Sequence, residues 1–324
     1  MTAPVLGPAG TRRGGAARMD SLRRPLDLCA LALTGAAAWR STATQTHQDL
    51  VQPLPLTCRI AVVPTVPACG STTVALQITG ALTRARRAPA LLLSASPGTN
   101  TAADRLSFSR RWPLEEPVPT AVPPAQLGPA LRGAAGCGPD GLTSCLRLDP
   151  GAAHLPPSWH QVRRELGHFF DACLTETGLL PPEELAEIAP LHHAVVVVSP
   201  ARRREVERTR ERLQGLKAAL ADRAAKARAD GAAPTAAAPS AGIAGGPLPV
   251  VLHAIVATTP GHPLIPRPEA DETLIPYDPA LRRPGPSPLR RRTAVAVAAL
   301  AARAVDAAAQ TVRITGEVAA GGEA

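Results

Sequence analysis

The apolar residues of this chain fall into short blocks, of the length and continuity a strand buried on both faces requires. Such blocks are residues 60–63, 90–93, 142–148, 169–176, 192–200 and 248–257. Between them the apolar spacing becomes helical. Residues 74–82 are periodic, and Ser71, Thr72 and Thr73 precede them with hydroxyls suited to a helix start. Ser158 is placed to cap a helix running to about His168. Residues 201–230 carry Val206, Leu213, Leu216 and Leu220 as a narrow stripe, with Arg and Glu on the other faces. That stripe suits a helix lying on a sheet, or one projecting to meet a partner. Residues 289–309 form an Ala-rich closing helix that starts at Arg290, Arg291 and Arg292, the unfavourable end of the helix dipole for cations. Alternating strand and helix predicts an α/β fold, a doubly wound and mostly parallel sheet with helices on both faces.

The chain is organised around residues 59–106. A strand leads into a Pro/Gly-containing loop at 64–70, a helix follows, and a second strand ends at Ser94. In such a unit the loop's N–H groups and the helix N-terminus cradle an anion. The loop reads Val66-Pro67-Ala68-Cys69-Gly70-Ser71-Thr72-Thr73. Pro67 removes one N–H from the cradle.

This stretch resembles the start of a MinD/ParA-type P-loop ATPase with the deviant Walker A loop Lys-Gly-Gly-x-Gly-Lys-Thr-Thr. Gly70, Thr72 and Thr73 match that pattern, whereas Val66 and Ser71 stand at the two lysine positions. Ser94 stands where the family's catalytic Asp belongs, and Glu176 is the nearest match to its Walker B carboxylate. Val256 occupies the place of an adenine-reading Asn, and Leu274-Ile275-Pro276-Tyr277-Asp278-Pro279 matches the family's last strand and base loop. A basic lead-in ending in Pro53-Leu54-Pro55-Leu56 resembles MinD-like proteins of type VII secretion. The resemblance implies a P-loop NTPase fold over about residues 59–309, a family that binds ATP and Mg²⁺, dimerises and switches partners. Its site residues map onto Gly70, Ser71, Thr72, Thr73, Ser94 and Glu176 as a degenerate nucleotide site, with no catalytic residue retained. Glu176 reads as a magnesium-site carboxylate or as a solvated strand-end Glu.

Composition narrows the chemistry. Lys217 and Lys226 are the only lysines, so no loop in the first two-thirds supplies a P-loop lysine. The formal charge of +9 is therefore almost all arginine. It reads as GC-rich codon usage or as an anion-binding surface at Arg202–Arg204, Arg282, Arg283 and Arg290–Arg292. Cys29, Cys58, Cys69, Cys137, Cys145 and Cys173 show no C-x-x-C pair, which predicts free thiols in a reducing cytoplasm, although Cys137 and Cys145 are close enough in sequence to meet. His192 and His193 lack a third ligand at metal spacing and read as strand-edge residues, and His253 reads as a hydrogen-bonded core histidine. No acyl-transfer motif is present. The apolar run at 28–39 is short of a membrane span, and a signal peptide is disfavoured by Asp27 and Thr34.

These readings divide the chain into a tail (1–20), a helical arm (21–57), an α/β domain (58–312) and a C-terminal tail (313–324). Within the domain lie a Pro/Gly-rich region at 107–157 and a linker at 231–247. Three functions fit: a non-catalytic MinD/ParA-like interaction or regulatory subunit, in secretion, division or partitioning; a nucleotide switch using an arginine such as Arg84, Arg86 or the 202–204 run; and a non-specific DNA-binding protein. The first expects a protein partner and no cofactor, with weak ATP/Mg²⁺ binding and a homodimer implied by the family.

Overall fold

A computed structural model describes residues 36–54, 57–98, 100–106, 111–112, 135–138, 140–148, 155, 157–229, 248–282 and 289–321. The chain divides into two units, 1–45 and 46–324. The described part of the first is helical, and this helix, α1 (Ala36–Val51), ends in the second. The predicted tail at 1–20, most of 107–157 and the 231–247 linker lie outside the described residues.

The second unit runs β1 (Cys58–Pro64), α2 (Ser71–Arg86), β2 (Ala90–Ala95), α3 (Ala102–Arg105), β3 (Arg111–Trp112), β4 (Gly136–Cys137) and β5 (Thr143–Leu148). It continues with α4 (Pro157–Leu166), β6 (Ala172–Thr177), α5 (Pro182–Ile188), β7 (Ala194–Pro200), α6 (Arg203–Ala229), β8 (Val250–Val256), β9 (Glu272–Ile275) and α7 (Arg291–Gly321). Among the described residues one sheet has the order β3-β5-β2-β6-β1-β7-β8-β9, parallel throughout, with β4 added antiparallel to β5. The connections from β1 go to one side and those from β6 to the other. The loop after β1 therefore opens at the switch point where α/β sheets bind ligands.

Alternation along β1 separates two cores. Ile60 and Val62 join α2 and α7 through Val74, Ile78, Leu82, Val297, Leu300 and Val305. Ala61 and Val63 join α4, α5 and α6 through Trp159, Val162, Leu166, Leu213 and Leu216. The α6 stripe is buried there, so this helix lies on the sheet. Helix α7 contains the one described segment, Arg291–Thr311, long and apolar enough to cross a membrane, and 56% of it is buried inside the protein. Its alanines allow close packing on the sheet.

Several boundaries move. The helix after the loop starts at Ser71 with Gly70 as its N-cap, and no side chain caps it. Ser158 lies inside α4 rather than before it. Phe169 and Phe170 precede β6, and Asp171 turns aside to pair with Arg86. Cys137 faces Ser144 and adjoins Cys145 across the β4–β5 pair, yet both thiols are free, as are Cys58, Cys69 and Cys173.

Candidate functional site

The loop between β1 and α2 is pinned at its start, where Thr65 donates its backbone N–H to Val198 O at 2.9 Å. Ala68 and Gly70 have positive φ, 57° and 100°. A Cβ on Gly70 would stand 3.2 Å from Val256 Cγ1, so glycine serves both the turn and the close approach to β8. Val256 thus packs on the loop from the position where the family reads adenine. Val66, at the signature-lysine position, packs against the core under α2. Cys69 is 1% exposed. Burial pushes its thiol pKa up, while the N–H groups of Ser71, Val66 and Thr65 and the Ser71 hydroxyl pull it down.

Glu176 sits on β6, beside β1 and opposite Ser94 of β2. It has 0% exposure, which overturns the solvated reading. Thr72 Oγ1 donates to its Oε1. Ser94 Oγ and the Ala102 N–H each donate to its Oε2 at 2.9 Å. Burial raises its pKa, and the bonds from Thr72, Ala102 and Ser94 and the charge of Arg105 oppose the rise. The Thr72 hydroxyl at the start of α2, the Ser94 hydroxyl of β2 and the N–H of the first residue of α3 all converge on one carboxyl. The resemblance put Ser94 and Glu176 each at the end of a strand; the pairing of those strands and the contact with Ala102 come from the fold.

Arg105 was not legible in the sequence. Its Nη1 donates to Thr73 Oγ1 and its Nη2 to Leu281 O at 2.8 Å, joining α3, the P-loop helix and the loop after β9. Burial lowers its pKa, and Glu176 raises it. Asp104 holds α3 in place by closing a capping box with Thr101 and pairing with Arg147. The arginines expected near the loop lie elsewhere. Arg84 and Arg86 are at the far end of α2, about 20 Å of helix from Ser71. Arg86 instead donates to Leu50 O and Gln52 O at 2.7 and 2.8 Å and pairs with Asp171. Arg202, Arg203 and Arg204 are exposed after β7, with Arg203 paired to Glu207. Arg290, Arg291 and Arg292 are exposed at the start of α7. Arg282 donates to Thr258 O at 3.0 Å and lies over Tyr277, and Arg283 is outside the described residues. Arg202–Arg204 follow the end of β7, and Arg282 and Arg290–Arg292 lie between β9 and the first turn of α7, so these flank the carboxyl end of the sheet, whereas Arg84 and Arg86 lie toward its amino end.

A second polar cluster links β7, β8, β9 and α6. The Ser199 hydroxyl donates to His253 Nε2 at 2.7 Å, and His253 Nδ1–H donates to Glu272 Oε1 at 2.9 Å. Arg210 grips Glu272 through Nε and Nη2 at 2.9 and 2.6 Å. The order Ser, His, Glu is that of a hydrolytic triad. Ser199 and His253 nonetheless have 0% exposure, so no substrate reaches the hydroxyl. His253 is the hydrogen-bonded core histidine expected of it.

His192 and His193 are buried rather than at an exposed strand edge. Burial first, and then the Arg59 charge, lowers the His193 pKa to about 4. Burial, with Arg163 and Arg59 adding to it, lowers that of His192 to about 3. Both folded values lie below the ordinary 6.5. The unfolded chain therefore binds protons first, and stability present above that pH is lost as pH falls through about 4 and about 3. Urea midpoints should decline over this window, and less steeply in His193→Gln.

Among the described residues no group of three His, Cys, Asp or Glu side chains is placed to hold a metal ion.

No protein-family model matches the chain, and no curated protein does. Among solved structures, it is similar to the cell division ATPase MinD of Pyrococcus furiosus, with 15% identity over 78% of this chain and 99% of that one, TM-score 0.44. It is similar to apo McdA of Cyanthece, with 11% identity over 79% and 99%, TM-score 0.40. The kinase domain of the Escherichia coli tyrosine kinase ETK aligns at 16% identity over 58% and 74%, TM-score 0.38. At these identities the similarity concerns the path of the chain, not its activity. In fold, this is a doubly wound, mostly parallel α/β protein.

Proposed function

We propose that this chain is a non-catalytic MinD/ParA-like protein that acts as an interaction or regulatory subunit, in secretion, division or partitioning. The observation that carries the reading is the closure of the loop on the protein's own groups. Thr72 and Ser94 are committed to Glu176 and Thr73 to Arg105, while the Cys69 side chain is buried within the loop. A triphosphate needs positive charge along its phosphates, and phosphoryl transfer depends on that charge and on positioning. The loop offers Val66 and Ser71 at its lysine positions, so this donor set does not fit a magnesium–nucleotide.

The test is thermal unfolding with and without millimolar ATP–Mg²⁺ or ADP–Mg²⁺. A ligand at about 100 times its dissociation constant would add about 2.7 kcal/mol and move the midpoint by several degrees. No shift is expected. A magnesium-dependent shift overturns the reading.

Arg105 supports a second reading, a switch that supplies its cation from α3. On that reading ATP raises the midpoint of the native chain, and Arg105→Ala abolishes the rise. On the first reading neither protein responds.

A further inference from the structure

The amino end of the sheet, opposite the P-loop, holds a cationic cluster that plays no part in the site above. Arg59 belongs to the β1 face that carries Ala61 and Val63, the face covered by α4. His193 directly precedes β7, and its Nδ1 accepts the Arg59 backbone N–H at 3.0 Å. The neutral ring therefore carries its proton on Nε2. Arg59 Nη2 lies 3.4 Å from that Nε2. Both atoms are donors, so the contact lacks an acceptor.

The same shortage recurs around it. The Nε atoms of Arg59 and Arg163 are buried without a hydrogen-bond partner. Arg163 lies over the Trp159 ring at 5.5 Å, and His192 stacks on that ring at 5.7 Å. Burial lowers the pKa of both arginines, and the Arg59 and Arg164 charges press further on Arg163. Among the described residues the thiols of Cys58 and Cys173 act in the opposite direction, and no carboxylate does. His160 faces Arg163 as well. Two half-buried guanidinium groups with no carboxylate acting on them among the described residues are costly, and an oxyanion beside them would supply acceptors for the two unpartnered Nε atoms.

We infer that Arg59, Arg163 and His193 form a binding site for a small oxyanion, phosphate or the phosphoryl group of a larger molecule, between α4 and the amino end of the sheet. The site does not depend on the reading of the P-loop. Trp159 reports on it, because its Nε1–H donates to Thr175 Oγ1 at 3.0 Å from within the cluster.

The experiment is a ¹⁵N–¹H titration of the full chain with sodium phosphate, against sodium chloride at matched ionic strength. The Trp159 indole resonance is expected to move saturably with phosphate and not with chloride. Arg163→Gln should weaken the apparent affinity at least about tenfold, the loss of one charge-assisted contact. Arg59→Gln should do the same, and it serves if Arg163→Gln does not fold. Phenyl phosphate, titrated in parallel, distinguishes the sources: binding assigns the site to a phosphoryl group on a larger molecule, and phosphate alone assigns it to the free ion. An unmoved Trp159 with both probes overturns the inference. So do shifts confined to the amides of Gly70–Thr73, or an unchanged affinity in both variants.

Discussion

Glu176→Ala is expected to lower the unfolding free energy by roughly 3–5 kcal/mol and the Tm by on the order of 10 °C. The loss comes from the donors left behind. Thr72 Oγ1, Ser94 Oγ and the Ala102 N–H would all face an apolar gap with no acceptor. Glu176→Gln should instead stay within about 1 kcal/mol of the native chain, because its carbonyl still accepts from two donors and a hydroxyl can rotate toward its amide. The two variants also separate charge from contact. Burial raises the Glu176 pKa above its unfolded value, so its proton stays on to higher pH in the folded chain. Its contribution is then complete below the ordinary glutamate range and declines as pH rises through the folded value. Urea unfolding of native and Gln variants, followed upward in pH from the ordinary glutamate range, should show that decline in the native chain alone. Equal losses for Ala and Gln would show that the carboxyl matters by its charge, contrary to this account.

The second large effect is expected at Glu272, on the other side of β1. Glu272→Ala should cost about 3 kcal/mol, since it strands Arg210, His253 and the Glu269 N–H together. Burial pushes this carboxyl up, but bonds from Arg210, the Glu269 N–H and His253 outweigh it and hold the pKa at about 2, against 4.5 ordinarily. That depression corresponds to about 3 kcal/mol of the same sign. The stabilisation is complete above the ordinary value and is lost as pH falls through about 2. Acid titration of stability should therefore be flatter below pH 4.5 in Glu272→Ala than in the native chain. A parallel pair of curves would remove Glu272 from the acid response.

The core strands were legible because burial on both faces demands continuous apolar runs, and 60–63, 90–93 and 192–200 supply them. The observed strands lengthen the first two runs, to Cys58–Pro64 and Ala90–Ala95, and trim the third to Ala194–Pro200. The strand start at 169 was misplaced because Phe169 and Phe170 carry the expected hydrophobicity while Asp171 is drawn off by Arg86, a partner 85 residues away. Ser71, Thr72 and Thr73 look like capping residues in any local window. In the folded chain two of those hydroxyls serve Glu176 and Arg105, which lie 104 and 32 residues from them. Arg84 and Arg86 are near the loop in sequence, but the length of α2 carries them out of its reach.

What the sequence by itself determined is the α/β class, the alternating elements, the glycine-bearing loop after the first strand and the lack of any lysine there. These follow from periodicity, from turn chemistry and from counting, all local properties. The tertiary structure decided which side chains meet. It buried Glu176 among three donors, brought Arg105 onto Thr73, joined Ser199, His253, Glu272 and Arg210, and set Arg59 and Arg163 together without a carboxylate. Each of these contacts spans distant segments, and its energy depends on exclusion of water. Neither the partner nor the burial is encoded in the residues immediately before and after.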